Sequence, residues 1–182
     1  MKRSAWILSV VVFLVTAVVD QGSKVWARGL PTQPAGCGIA ALAAQHCHGV
    51  PQPVISGYWD WELAMNPGAA FSTLVGGTGA QILLSLIALG ALVGLGIAAA
   101  RTRPDEPLKR IAFAMIAGGA LGNLIDRVRD GAVTDFVRWR FHDHRWPIFN
   151  VADVALLVGV VLLLVAGRKI SPSPAAGRTI AA

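Results

Sequence analysis

Four apolar runs divide the chain, separated by stretches that mix aromatic and charged residues. The first runs from residue 5 to about residue 19. Its 15 residues would span about 22 Å as a helix, short of a hydrocarbon core of about 30 Å. The helix is therefore extended through residues 20–27 and expected over 5–26. Three more are expected at 79–100, 111–128 and 150–167. The segments at 28–78 and 129–148 read differently. Tyr58-Trp59-Asp60-Trp61-Glu62-Leu63 alternates bulky and acidic residues, as a strand at a water–lipid boundary would. After the turn signal Asp130-Gly131, Val133, Asp135, Val137, Trp139 and Phe141 fall on one strand face, and Thr134, Phe136, Arg138 and Arg140 on the other. The pattern predicts an all-α polytopic membrane protein, with four transmembrane helices and a small β-platform on the outer face. It forms one integral membrane domain over 1–182, ending in a Ser/Pro/Ala tail expected to be disordered at 171–182.

Composition agrees with the pattern. Only 14% of the 182 residues are charged, against roughly 25% in soluble domains. The mean hydropathy is +0.58. A net charge of +6 would suggest nucleic acid in a soluble protein. In a membrane chain the basic residues set topology and meet lipid headgroups, so membrane lipids are the expected partner and nucleic acid is not. Lys2 and Arg3 before an apolar run fit a targeting segment. Asp20 and Lys24 follow directly without a small-x-small cleavage site, so the segment is read as a retained helix. With the N-terminus inside, nine basic residues fall inside and seven outside. Four of the inner ones crowd the short loop from 101 to 110, next to the helix ends where the rule acts. Both termini are therefore expected to be cytoplasmic. Eight of the ten acids and five of the six tryptophans then lie outside. Gly90-x-x-x-Gly94 and Gly118-x-x-x-Gly122 are small-residue pairs suited to close helix packing.

Acids within membrane segments are costly and point to function. Asp20 and Lys24 end the first helix. Asn123, Asp126 and Arg127 share the last turns of the third. Asn150 and Asp153 open the fourth, and Asp135 follows on the strand. In this topology all of them meet at one depth. Two carboxylates held close share a proton, one drawing a proton from water and the other donating to the substrate. Asp20 and Lys24, one turn apart, read as a structural ion pair. Asp126, beside Arg127 and near Arg129, reads as holding its helix end. Asp135 lies between Val133 and Val137, and Asp153 lies in apolar sequence with no adjacent cation. These two are the best pair for acid–base hydrolysis. No metal or other cofactor is called for: Cys37, His46, Cys47 and His48 do not match a standard zinc spacing. His142 and His144 flank Asp143 in a polar loop. No G-x-S-x-G occurs, and no histidine falls in an apolar run. Cys37 and Cys47 can pair if their segment faces an oxidising compartment; the sequence leaves the geometry open.

Four separated blocks carry a likeness to a known family: Asp20-Gln21-Gly22-Ser23-Lys24; Asn66-Pro67-Gly68-Ala69-Ala70-Phe71-Ser72; the run from Gly118 through Asn123, Asp126 and Arg127 to Val133-Thr134-Asp135-Phe136; and Phe149-Asn150-Val151-Ala152-Asp153. With all four in order, the chain resembles the lipoprotein signal peptidases, or signal peptidase II. The resemblance implies an aspartic endopeptidase of the bacterial inner membrane, with its active site near the periplasmic face. It would remove the signal peptide from diacylglyceryl-modified prolipoproteins, cutting before the lipidated cysteine. It implies Asp135 and Asp153 as the catalytic pair and Asn66, Gly68, Asn123, Arg127 and Asn150 as substrate-binding or supporting residues. Asp20, Lys24 and Asp126 are expected to be structural. The partner is a lipidated prolipoprotein, and a monomer is expected. Residues 33–50, with both cysteines, look like an insertion that leaves the platform's shape open. The rival readings are a small proton-coupled transporter or channel, which predicts acids spread across the bilayer, and a structural subunit, which leaves the convergent polar clusters unexplained.

Overall fold

The computed structural model describes residues 2–68, 77–142 and 144–168. Asp143, the half of the second block from Ala69 to Ser72, and the tail at 171–182 lie outside the described residues. The elements in chain order are α1 (Lys2–Ala27), β1 (Thr32–Gln33), α2 (Ile39–Ala43), β2 (His48–Gly49), β3 (Gln52–Ile55), β4 (Trp59–Asn66), α3 (Gly77–Arg101), α4 (Pro107–Asp130), β5 (Val133–Phe141), β6 (His144–Arg145) and α5 (Val151–Arg168). All four expected helices form. α4 starts earlier than the apolar pattern suggested, because Pro107 suits a first helical position where no N–H is needed. It stops where Gly131, at φ 68°, takes the left-handed conformation and donates its N–H to the Arg127 carbonyl at 3.0 Å.

Three helices, Trp6–Ala27, Gly79–Arg101 and Pro107–Asp130, are long and apolar enough to cross a membrane, and Val151–Gly167 is a shorter apolar helix. The molecule is a polytopic membrane protein. Its polarity is turned inside out. Ile7, Val11, Val18, Leu86, Val93, Leu157 and Leu164 are exposed, whereas Asp20, Lys24, Asp126 and Asn150 are buried. That arrangement suits lipid as solvent.

α4 is the central helix and packs on α1, α3 and α5. Its small residues allow the approach. A side chain at Gly118 would strike Phe13 and Thr16 of α1, and one at Gly119 would strike the Ala152 carbonyl of α5. Gly90 and Gly94 differ from the expectation of close packing: a side chain at either would meet open space.

Above the helices lies an antiparallel sheet in the order β3-β4-β5-β6. Cross-strand ion pairs link β4 and β5, Arg138 to Glu62 at 2.6 Å and Arg140 to Asp60 at 3.0 Å. Burial raises the Glu62 carboxyl above its ordinary range, and Arg138 opposes the rise. Trp26 at the end of α1 packs edge-on against Trp61 and Phe136, joining helix to sheet. The expected alternation of β5 holds only in its outer half, since Val133 through Phe136 are buried on both faces.

Residues 33–50 fold into structure that the sequence pattern did not disclose. Strands β1 and β2 pair, α2 lies between them, and Cys37 and Cys47 form a disulfide. Leu42 and Cys47 bury against Leu63 and Met65 of β4 and against Ala132. The Gln45 amide donates to the Met65 carbonyl at 3.2 Å, beside Asn66.

Candidate active site

The site begins with strand pairing. β4 and β5 run antiparallel with Ala64 opposite Asp135 and Asn66 opposite Val133. On the other edge of β5, Phe149 pairs with Val137, and its carbonyl accepts from the N–H groups of Phe136 and Val137 at 3.1 and 2.9 Å. Asn66 and Asn150, from opposite flanks of β5, therefore both reach Asp135. Asn66 donates from Nδ2 to Oδ2 at 3.2 Å, and Asn150 donates from Nδ2 to Oδ1 at 2.7 Å. The Asn66 amide is oriented by Gly68, whose N–H donates to its Oδ1 at 2.9 Å. Gly68 stands at φ 77°, which favours glycine.

Helix α5 delivers the second carboxylate through its own capping. The Asp153 N–H donates to Oδ1 of Asn150 at 3.0 Å, and the Asn150 N–H donates back to Oδ2 of Asp153 at 3.2 Å. This reciprocal pair satisfies helix-end donors and fixes the Asp153 side chain. The other oxygen of Asp153 accepts from Nδ2 of Asn123 at 3.1 Å. Asn123 is oriented in turn by its Oδ1, which accepts from Nζ of Lys24 at 2.8 Å and from Nδ2 of Asn150 at 3.2 Å. Asn150 thus bridges the two carboxylates, and Asn123 links Asp153 back to Lys24.

Lys24 is wholly buried and lies 2.8 Å from Asp20 and 3.2 Å from Asp126. Arg28 reaches Asp126 at 3.1 Å and Asp130 at 2.9 Å, and Arg129 reaches Asp126 at 3.5 Å. Asp126 also accepts the Thr134 N–H at 2.9 Å, and Asp20 accepts the Ala152 N–H at 2.9 Å. Asp20 therefore serves a further orphan donor of α5.

Asp135 is 3% exposed. Burial raises its carboxyl pKa from the ordinary 3.8 to about 7, with the charge of Asp153 adding to the rise. The amides of Asn66 and Asn150 and the charge of Lys24 oppose it. Asp153 is half-buried. Neither acid has an adjacent cation in sequence, and the base that acts on both is one that the family resemblance implies as a supporting residue. Arg127 of α4 acts electrostatically on Asp135, Asp153 and Asp126 while donating to the Asn123 carbonyl at 3.3 Å. It belongs to the polar cluster at the end of α4 that the sequence placed at the same depth as both acids. The sulfurs of Cys37 and Cys47 are joined to one another, so they are not thiolate ligands.

The site's polar residues come from the same four blocks that carried the likeness to a family. The family model described as Signal peptidase (SPase) II matches residues 12–168. The chain belongs to the signal peptidase II family. A lipoprotein signal peptidase of Xanthomonas campestris pv. campestris is 36% identical over 152 residues, which cover 81% of this chain and 82% of that protein. One of Xylella fastidiosa is 41% identical over 127 residues, covering 68% and 76%. A solved bacterial membrane enzyme superposes with a TM-score of 0.73 at 26% identity, over 90% of this chain and 94% of its own.

In this signal peptidase II chain, Arg28 and Thr134 join the site beyond the residues expected from the sequence. Arg28 had a signal: Asp20, Lys24 and Arg28 recur every fourth residue and line one helix face. Thr134 is fully buried, and its Oγ1 accepts from Arg28 at 2.8 Å. Only the fold brings Thr134 to α1.

Proposed function

We propose that this signal peptidase II family member removes the signal peptide from diacylglyceryl-modified prolipoproteins, cutting before the lipidated cysteine, with Asp135 and Asp153 as its acid–base pair. The observation that carries the assignment is the contrast between the two carboxyls that Asn150 links. One is deeply buried, with its pKa raised to about 7; the other is half-open and accepts N–H donors on both oxygens. Asp153 takes a proton from the attacking water. Asp135 gives its proton to the scissile carbonyl as the tetrahedral intermediate forms. On collapse Asp153 gives the proton it took to the leaving amine, Asp135 regains its proton from a hydroxyl of the intermediate, and the pair returns to its starting state. Arg127 and the amides of Asn66, Asn123 and Asn150 hold the carboxylates, and Asn66 and Gly68 lie where an extended substrate would pass.

The enzyme resides in the bacterial inner membrane, crosses it four times with both termini cytoplasmic, and works as a monomer near the periplasmic face. Tyr58, Trp139, Phe141 and Trp146, all exposed on the sheet, suit an interfacial resting surface. The substrate's apolar signal helix and acyl chains remain in the bilayer while the scissile bond meets the aspartates at its edge. A proton-coupled transporter would need titratable groups along its path, and the buried acids gather at one end of the bundle.

The test is a gel-shift assay of a lipidated precursor peptide with the wild type, Asp135→Asn and Asp153→Asn. Loss of cleavage in both variants, with folding retained, is expected. Full cleavage by either one defeats the assignment.

A further inference from the structure

Arg110 sits in the first turns of α4, about 20 Å along the helix from Asn123. It is only 5% exposed. Its Nη2 donates to the Thr102 carbonyl at 2.7 Å, and its guanidinium lies 5.2 Å from the centre of the Trp6 ring. Nε and Nη1 are buried and have no hydrogen-bond partner among the described residues. The nearby acids are engaged elsewhere, Asp105 with Arg103 at 2.9 Å and Glu106 with Lys109. A guanidinium in apolar surroundings with two unmatched N–H groups is costly until an anion meets it.

Arg110 also borders an apolar groove of about 380 Å³. α1 and α3 both pack on α4, and the groove runs between them. Val10 and Phe13 form one wall, Leu92 and Leu95 the other, and Phe113 and Ala117 the floor. From Arg110 to Leu121 it extends about 16 Å at 1.5 Å per residue. A free anion would use the cation and leave the trough empty. A neutral lipid would fill the trough and leave the cation unmatched. A basic residue at the end of an interhelical trough suits a lipid with a charged headgroup. Trp6, which lies over the guanidinium, is 42% exposed, so an incoming headgroup would have to move its ring aside.

We propose that this groove binds one anionic phospholipid from the leaflet opposite the aspartates, with an acyl chain along the trough and the headgroup phosphate against Arg110. The test is native mass spectrometry of the full chain, released from vesicles of equal parts phosphatidylglycerol and phosphatidylcholine. The wild type should retain phosphatidylglycerol about fivefold over phosphatidylcholine. Arg110→Gln should abolish the preference, and Arg110→Lys should keep most of it. Gly96 lines the groove where a side chain would meet open space, so Gly96→Leu should lower retention of both lipids without disturbing the fold. Equal retention of the two lipids by the wild type overturns the proposal. So does a preference that survives Arg110→Gln, displacement of the lipid by equimolar inorganic phosphate, or unchanged retention in Gly96→Leu. Should Arg110→Gln fail to fold, the Gly96→Leu result decides.

Discussion

Two pairs of buried or half-buried carboxylates flank Asn123, and they are balanced in different ways. Asp20 and Asp126 share Lys24, with Arg28 and Arg129 close behind. Asp135 and Asp153 are held mainly by amides and by the N–H of Asn150, and Arg127 acts on them through its field. Cations close to the first pair make it a clamp between α1, α4 and the start of α5. Amides would leave the second pair free to exchange a proton, since an amide holds a carboxylate in place without fixing its charge. One asparagine serves both, accepting from Lys24 on one side and donating to Asp153 on the other. The clamp thereby orients Asp153, a member of the proposed catalytic pair.

The largest effect should come from removing the reactive function itself. Asp135→Asn and Asp153→Asn keep shape and lose proton transfer, so cleavage should fall by about 10²- to 10⁴-fold, read as turnover of a lipidated precursor in detergent or nanodiscs. Next comes the clamp. Lys24→Met leaves two buried carboxylates without their shared cation, which should lower stability by about 3–5 kcal/mol and cut activity as well. Thermal unfolding beside turnover would show both. A variant as stable as the wild type would mean that Arg28 and Arg129 balance the site without Lys24.

How much of this could be read from the sequence depends on distance along the chain. The helices were legible because their apolar runs are continuous, and β5 because its residues alternate. The pair Asp20–Lys24 was legible as neighbours one turn apart. Asp135 and Asp153 could be singled out because no base adjoins them in sequence. Lys24's hold on Asn123, and Asp20's on the backbone of Ala152, span too many residues for any local pattern. Arg127 is legible only through the resemblance, because its action on both aspartates crosses from α4 to β5 and α5. Of the insert only the possible pairing of Cys37 and Cys47 was legible, since α2 is five residues long and its apolar surface is matched by distant residues of β4 and by Ala132.

That insert supplies a smaller test of the same contrast. It rests against β4 beside Asn66 and touches neither carboxylate pair directly. Replacing Cys37 and Cys47 by serine opens a loop with a sequence separation of 10, which should lower stability by about 2–4 kcal/mol. Turnover at low temperature should change far less than in Lys24→Met. A collapse of turnover in a folded serine variant would show that the insert governs the aspartates as closely as the clamp does.

The smallest effect concerns pH. The folded protein binds the Asp135 proton more tightly than the unfolded chain, because its pKa stands at about 7 against 3.8. The stability this gives is complete below about pH 4 and is lost as pH rises through 7. Asp135→Asn, which is never charged, should match the wild type at low pH and exceed it at pH 8, by about 2–4 °C in Tm per kcal/mol. Cleavage by the wild type should decline over the same alkaline range. A wild-type Tm indifferent to pH between 5 and 8 would place the proton elsewhere.

The reciprocal bonds between Asn150 and Asp153 have a consequence for biogenesis. Both residues open the last helix of the described chain, and Asn150 also holds Asp135. A nascent chain that has emerged only as far as β5 carries one aspartate of the pair, without its partner and without the amide that orients it. On the proposed assignment of Asp135 and Asp153, the peptidase would stay inert until its final helix winds and docks.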